Sequence, residues 1–157
     1  MESQLNKIIT DLKESFNGQP WYGDSVMKKL NTIAWQNVNT KKYGEKSIAV
    51  LVQHIINWRI FVLKKLQGDM NYDIIMDSDS DWSETHIENE KEWNELKEDL
   101  SKTQIDLIGF LDNATEELLS KKVPGKDYDF GPILTSISQH DIYHLGQIAM
   151  LNAMEKN

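Results

Sequence analysis

Three of the chain's four histidines are spaced for chemistry. His140 and His144 lie four residues apart in a stretch of helical character, so they stand one turn above each other on one face. That face also carries Ile133, Ile137, Ile148 and Leu151, which turns both imidazoles toward a protein interior. His54 shares a helical face with Val50, Leu51, Trp58 and Phe61 and points inward for the same reason. Three inward imidazoles in one small core are hard to satisfy with hydrogen bonds alone. Neutral imidazole is a favoured ligand of Zn, Ni, Cu and Fe, and three protein ligands leave a position open for water or substrate. Spacing alone leaves a second reading standing, in which each is a core histidine with an ordinary hydrogen-bond partner. The fourth, His86, lies in a polar stretch and is expected in solvent.

Around these residues the candidates for catalytic roles are Asp141, Gln147 and Tyr143. Asp141 is suited to orient a ligand imidazole as a hydrogen-bond acceptor, or else it is a solvated helix carboxylate. Gln147 falls on the face of His140 and His144 and could bond a metal-held water; a buried amide satisfied by backbone is the plainer reading. Tyr143 could donate a proton, but it sits a quarter-turn off the histidine face, which suits packing or an interface better. Trp58 walls a pocket or packs the core. Arg59, the only arginine, is a carboxylate or phosphate clamp or, more simply, a surface charge. Two patterns are decoys. His140-Asp-Ile-Tyr-His144 has the spacing of the zincin protease motif, but its Asp is a methylene shorter than the Glu that serves there as base, and no extended His motif follows. Asp77, Asp79, Asp81 and Glu88 imitate an EF-hand loop, yet Trp82 stands where that loop needs glycine for its sharp turn.

The elements that must position these residues are helices. Leu5, Ile8, Ile9, Leu12 and Phe16 keep helical spacing until Asn17-Gly18. A short helix carries Val26, Leu30 and Ile33, with Asp24 or Ser25 as its cap. Thr40 to Lys46 is a loop. A second long helix runs from Ser47 to Leu66, capped by Ser47 and stopped by Gly68. Asp69 to about Ile87 is acidic and aperiodic. Trp93, Leu96, Leu100, Leu107, Leu111 and Leu118 mark a long third helix. Pro124-Gly125 breaks the chain, and Pro132 suits the first turn of a last helix reaching about Met154. The fold expected is all-α: one domain over residues 1–157, an antiparallel four-helix bundle with one short additional helix.

Composition narrows the function classes. The 157 residues are 39% hydrophobic and 27% charged, with a net charge of −8. An acidic surface disfavours nucleic acid and anionic lipid as partners. No cysteine is present, which excludes disulfides, thiolate ligands and a cysteine nucleophile. The most apolar run, Ser47 to Leu66, is interrupted by Gln53, His54, Asn57 and Arg59 and is no membrane span. The opening Met-Glu-Ser-Gln lacks a signal-peptide pattern, so the expected location is cytoplasmic.

Ser136-Ile-Ser-Gln-His-Asp-Ile-Tyr-His-Leu-Gly-Gln-Ile-Ala-Met-Leu151 resembles the last-helix motif of the DinB/YfiT-like superfamily, and Ser47-Ile-Ala-Val-Leu-Val-Gln-His-Ile-Ile-Asn-Trp-Arg59 its second-helix motif. Pro20-Trp-Tyr-Gly-Asp-Ser25 and Leu66-Gln-Gly-Asp69 are similar to segments such members carry. The resemblance spans nearly the whole chain and is most specific at Tyr143-His-Leu-Gly-Gln147. It implies a four-helix bundle with one divalent ion (Zn, Ni or Fe) on His54, His140 and His144. Some such proteins transfer thiols such as bacillithiol to electrophiles, and others are held to be hydrolases. The function expected is therefore a metal-dependent transferase or hydrolase that activates a thiol or water against a small substrate. A non-catalytic metal-binding or stress-response protein is the alternative. Members of the family often pair as homodimers, and Trp21 and Tyr22 could supply the contact.

Overall fold

The computed structural model describes residues 1–156, and these fold as five helices joined by loops and two 3-10 turns. α1 is Gln4–Asn17, α2 Val26–Leu30, α3 Ile48–Leu66, α4 Glu90–Leu111 and α5 Phe130–Glu155. The 3-10 turns are Trp35–Asn37 and Glu116–Ser120. Among the described residues there is no strand, only one isolated bridge between Lys122 and Asp129. No described helix is long and apolar enough to cross a membrane.

Local chemistry sets the helix starts. The Ser3 hydroxyl accepts from the Asn6 N–H, the Ser47 hydroxyl from Val50 and the Asn89 carboxamide from Glu92, each satisfying an amide that the first turn leaves without an intrahelical partner. α2 begins without such help. The Ser25 side chain makes no capping bond, and Asp24 instead pairs with Lys28 and Lys29 at 2.9 and 3.0 Å. After α3 the chain turns through Gly68 at φ 88°, a left-handed conformation that glycine adopts without a Cβ clash.

The third long helix is shorter than its leucine spacing suggests. α4 ends at Leu111, and Leu118 comes from the separate Glu116–Ser120 turn. Leu118 is buried all the same, in the cluster that holds Leu107 and Leu111. Seven residues is two helical turns, so an apolar residue supplied by the following turn mimics continuation of the helix. The chain reverses at Asp112–Asn113, where the Asn113 carboxamide donates to the Gly109 carbonyl at 2.8 Å.

The core has two apolar layers. One gathers Phe16, Ile55, Trp93, Leu100 and Leu145; the other gathers Leu12, Phe61, Leu107, Leu134 and Ile137. Along each of α1, α3, α4 and α5 the chain passes from one layer to the other, and α3, α4 and α5 carry buried polar side chains at the crossing. Arg59, Thr103, Gln104 and Asp141 are all buried there. The Arg59 guanidinium grips the Asp141 carboxylate through Nε to Oδ2 at 3.1 Å and Nη2 to Oδ2 at 2.5 Å. Its Nη1 donates to Gln104 Oε1 at 2.9 Å and to Thr103 Oγ1 at 3.4 Å. Gln104 in turn donates to the Leu12 carbonyl at 3.1 Å, so the network reaches all four long helices. Burial raises the Asp141 pKa from the ordinary carboxylate range, against the opposing pull of Arg59. Arg59 is thus neither a surface charge nor a clamp for an external anion; its partner is internal. Asp141 is neither a solvated carboxylate nor an acceptor on an imidazole.

Candidate metal centre

α3 brings His54, and α5 brings His140 and His144, to one place between the two helices. His54 and His144 are buried and His140 is half-buried. The Nε2 of His140 lies 3.1 Å from the Nε2 of His54 and 3.1 Å from that of His144. The rings are inclined rather than stacked, with interplanar angles of 47°, 83° and 82°, so their edges converge.

The protons on these rings follow from their other partners. His54 Nδ1 is 3.0 Å from both the carbonyl and a carboxylate oxygen of Asp81, which offers only acceptors. Nδ1 therefore donates, and Nε2 presents a lone pair. His144 Nδ1 donates to Gln147 Oε1 at 2.6 Å, which frees its Nε2 in the same way. His140 Nε2 faces both lone pairs, and a single N–H there could serve only one of them. A cation serves all three. With metal–nitrogen bonds of about 2.0–2.1 Å, nitrogens at tetrahedral corners stand about 3.3 Å apart, close to the spacing here. The three histidines thus form a group that could hold a divalent ion.

The electrostatics agree. Burial lowers the pKa of all three histidines, and that of His140 falls to about 3, with repulsion from His144 and His54 adding to desolvation. Lowered values keep the imidazoles neutral at physiological pH, which is the ligating form.

Asp81 was legible in the sequence only as part of a false calcium loop. It is 1% exposed, and its carboxylate receives the Trp58 indole N–H at 2.9 Å and the Asp77 backbone N–H at 2.9 Å besides His54. The irregular segment after α3 is thereby tied to α3 through the residue that fixes the His54 tautomer. Its neighbour Trp82 stacks on the His54 ring at 3.7 Å and 4°. Orientation of an imidazole, one of the two readings of Asp141, is performed by Asp81 for His54 and by Gln147 for His144. Gln147 is exposed rather than buried. Tyr143 is 66% exposed, with its ring edge-on to His144 at 5.0 Å. Trp58 does both things expected of it, lining a cavity and packing on Phe61 at 5.4 Å. His86 lies in solvent.

Two cavities meet the cluster, with Trp82 lining both. One of about 440 Å³ reaches His54 and His140. Another of about 710 Å³ reaches His144 and Gln147 beside Tyr43, Lys46 and Tyr143. The histidines are therefore not closed off by a fourth protein ligand among the described residues, as a structural metal site would be.

A family model described as the DinB superfamily matches residues 10–148, and the chain belongs to that superfamily. No curated protein and no solved structure matches it.

Proposed function

We propose that this member of the DinB superfamily is an enzyme that holds one divalent ion on His54, His140 and His144 and transfers a thiol to a small electrophile. The observation that carries the reading is the convergence of three Nε2 atoms, at least two of them with lone pairs fixed by Asp81 and Gln147, at the junction of two cavities. A divalent ion bound there supplies Lewis acidity, lowering the pKa of a water or thiol brought to it. The protein's own residues hold the imidazoles neutral, aim them, and leave an approach from either side. Zn, Ni and Fe all suit three imidazoles. The four long helices, α1, α3, α4 and α5, make the antiparallel bundle that presents the site, and the protein works in the cytoplasm as a homodimer.

Thiol transfer is favoured over hydrolysis by the state of the nearby carboxylates. Asp81 is engaged by His54, Trp58 and Asp77, and Asp141 by Arg59, so neither is free to shuttle a proton. Hydrolysis of an amide or ester needs a group that first takes and then returns a proton. A thiol held on such an ion would release its proton to solvent, with no neighbouring base required. The same engagement of Asp81 and Asp141 favours, as a second reading, a protein that holds the ion without catalysis.

The test begins with elemental analysis of protein purified without a histidine tag. Cobalt-substituted protein is then exposed to a panel of biological thiols while its visible spectrum and the consumption of an electrophile are recorded together. A thiol-dependent spectral change is expected, with faster turnover by the metal-loaded protein than by metal-free protein or His140→Ala. A spectrum indifferent to every thiol, with no difference in rate, would rule out thiol transfer and leave hydrolysis or the non-catalytic role.

A further inference from the structure

We infer that the cavity on the His54–His140 side takes a neutral, predominantly apolar small molecule, whose single polar group is the one presented to the histidines. The reading of the cluster as a metal site is needed only to say which end reacts; the binding itself does not depend on it.

The walls are Trp58, Val62, Met76, Trp82, Ile133 and Ile137. A volume of about 440 Å³ lies within the roughly 300–1,000 Å³ that holds one drug-sized ligand. What decides the class is that the buried charged groups of the lining are already paired. Arg59 borders the cavity, yet it is 2% exposed and its donors go to Asp141, Gln104 and Thr103. Four of its five N–H donors are engaged and its charge is matched by the buried Asp141, so an incoming carboxylate or phosphate would have to displace an internal partner. The Asp81 carboxylate is consumed by Trp58, Asp77 and His54. The Ser136 hydroxyl donates to the Pro132 carbonyl at 2.7 Å.

A cation fares no better. An aromatic wall attracts a cation through a free ring face. Trp82 already carries the His54 ring stacked at 3.7 Å and the Lys46 ammonium 4.6 Å from the ring centroid, so a further cation there would meet like charge. Asp77 carries the one lining carboxylate without a hydrogen-bond partner among the described residues, and it is exposed at the mouth rather than buried in the wall. Asp77 has a φ of 62° and donates its N–H to Asp81, and it borders the opening together with Met76. An anion passing it meets like charge. An anion gains no counter-charge and a cation only Asp77, exposed and screened by water at the mouth, so a charge carried into the cavity would leave water without a buried partner, which is the costly case, whereas apolar surface gains from the transfer.

The probes are 2-acetylnaphthalene, which is neutral, and 2-naphthalenesulfonate, which carries the same ring system with a charge. Each is titrated into zinc-loaded and metal-free protein, and binding is read from the indole N–H signals of Trp58 and Trp82 by NMR, with zinc content measured separately. The ketone is expected to shift both signals in both forms, and the sulfonate to bind at least about ten-fold more weakly, because its charge loses water without a partner. Ile133→Trp fills the cavity from α5, and Met76→Glu places a charge at its exposed mouth. Each should weaken the ketone at least about ten-fold by removing space or adding an unpaired charge, with zinc content unchanged. Protein that binds the ketone but no zinc would sink the metal reading and uphold this one. Sulfonate binding as tight as the ketone, ketone shifts that spare Trp58 and Trp82, or affinity untouched in both variants would overturn it.

Discussion

Replacing Asp141 by asparagine tests whether the middle of the core is organised as described. The side chain keeps its shape and loses its charge. Arg59, 2% exposed, would then face Thr103, Gln104 and an amide with no counter-charge. Breaking one partner from a buried ion pair costs about 3–5 kcal/mol, because the other charge stays buried and uncompensated. That is a large part of the roughly 5–15 kcal/mol by which a domain of this kind is stable. For a chain of this length it corresponds to a fall in Tm of roughly 6–20 °C. The assay is urea and thermal unfolding at pH 7.5 in the presence of a chelator, so that metal binding adds nothing to either protein. The double variant Arg59→Met with Asp141→Leu removes both charges and should recover most of the loss, since an apolar pair of similar volume is often as stable as a buried ion pair. A solvated carboxylate would give a loss within about 0.5 kcal/mol. A loss below about 1 kcal/mol for Asp141→Asn, or a double variant no better than the single one, would refute the description of this layer as a buried charge pair.

His54→Ala, His140→Ala and His144→Ala should each lose the divalent ion and His86→Ala should keep it, as measured by metal content after dialysis. Asp81→Ala should retain the three ligands yet weaken metal affinity by about 10–100-fold, measured by competition with a chelator, because the His54 tautomer is no longer fixed. Metal-free protein should lose stability as pH falls. The histidine pKa values are lowered in the folded state, so the unfolded chain takes up protons first; the contribution is complete above the unfolded value of about 6.5 and is lost below it. For His140, with a folded value of about 3, the loss should be roughly 2 kcal/mol between pH 6.5 and pH 5, read from urea midpoints in chelator. The protein should scatter light as a dimer, and a mass near the 18.2 kDa of one chain at micromolar concentration would remove the role given to Trp21, which is 97% exposed, and Tyr22.

The helices and the three histidines could be read from the sequence because their signals are local. A period of 3.6 residues fixes which side of a helix is apolar, and His54, His140 and His144 declare their direction by the company they keep on that face. Caps such as Ser47 and stops such as Gly68 act within a few residues, and they too were legible. What lay outside the sequence depends on chain segments far apart. Arg59 and Asp141 are 82 residues apart, and only the packing of α3 against α5 removes both from water together. Asp81 meets His54 across 27 residues through a loop without period, so nothing nearby distinguished it from the acidic residues around it. The end of α4 was hidden because Leu118 returns to the core from a different element in helical register. Side-chain type and spacing determined which groups could do chemistry. The tertiary structure decided which of their atoms are already occupied, since a hydrogen bond or an ion pair belongs to two residues and local periodicity describes only one of them.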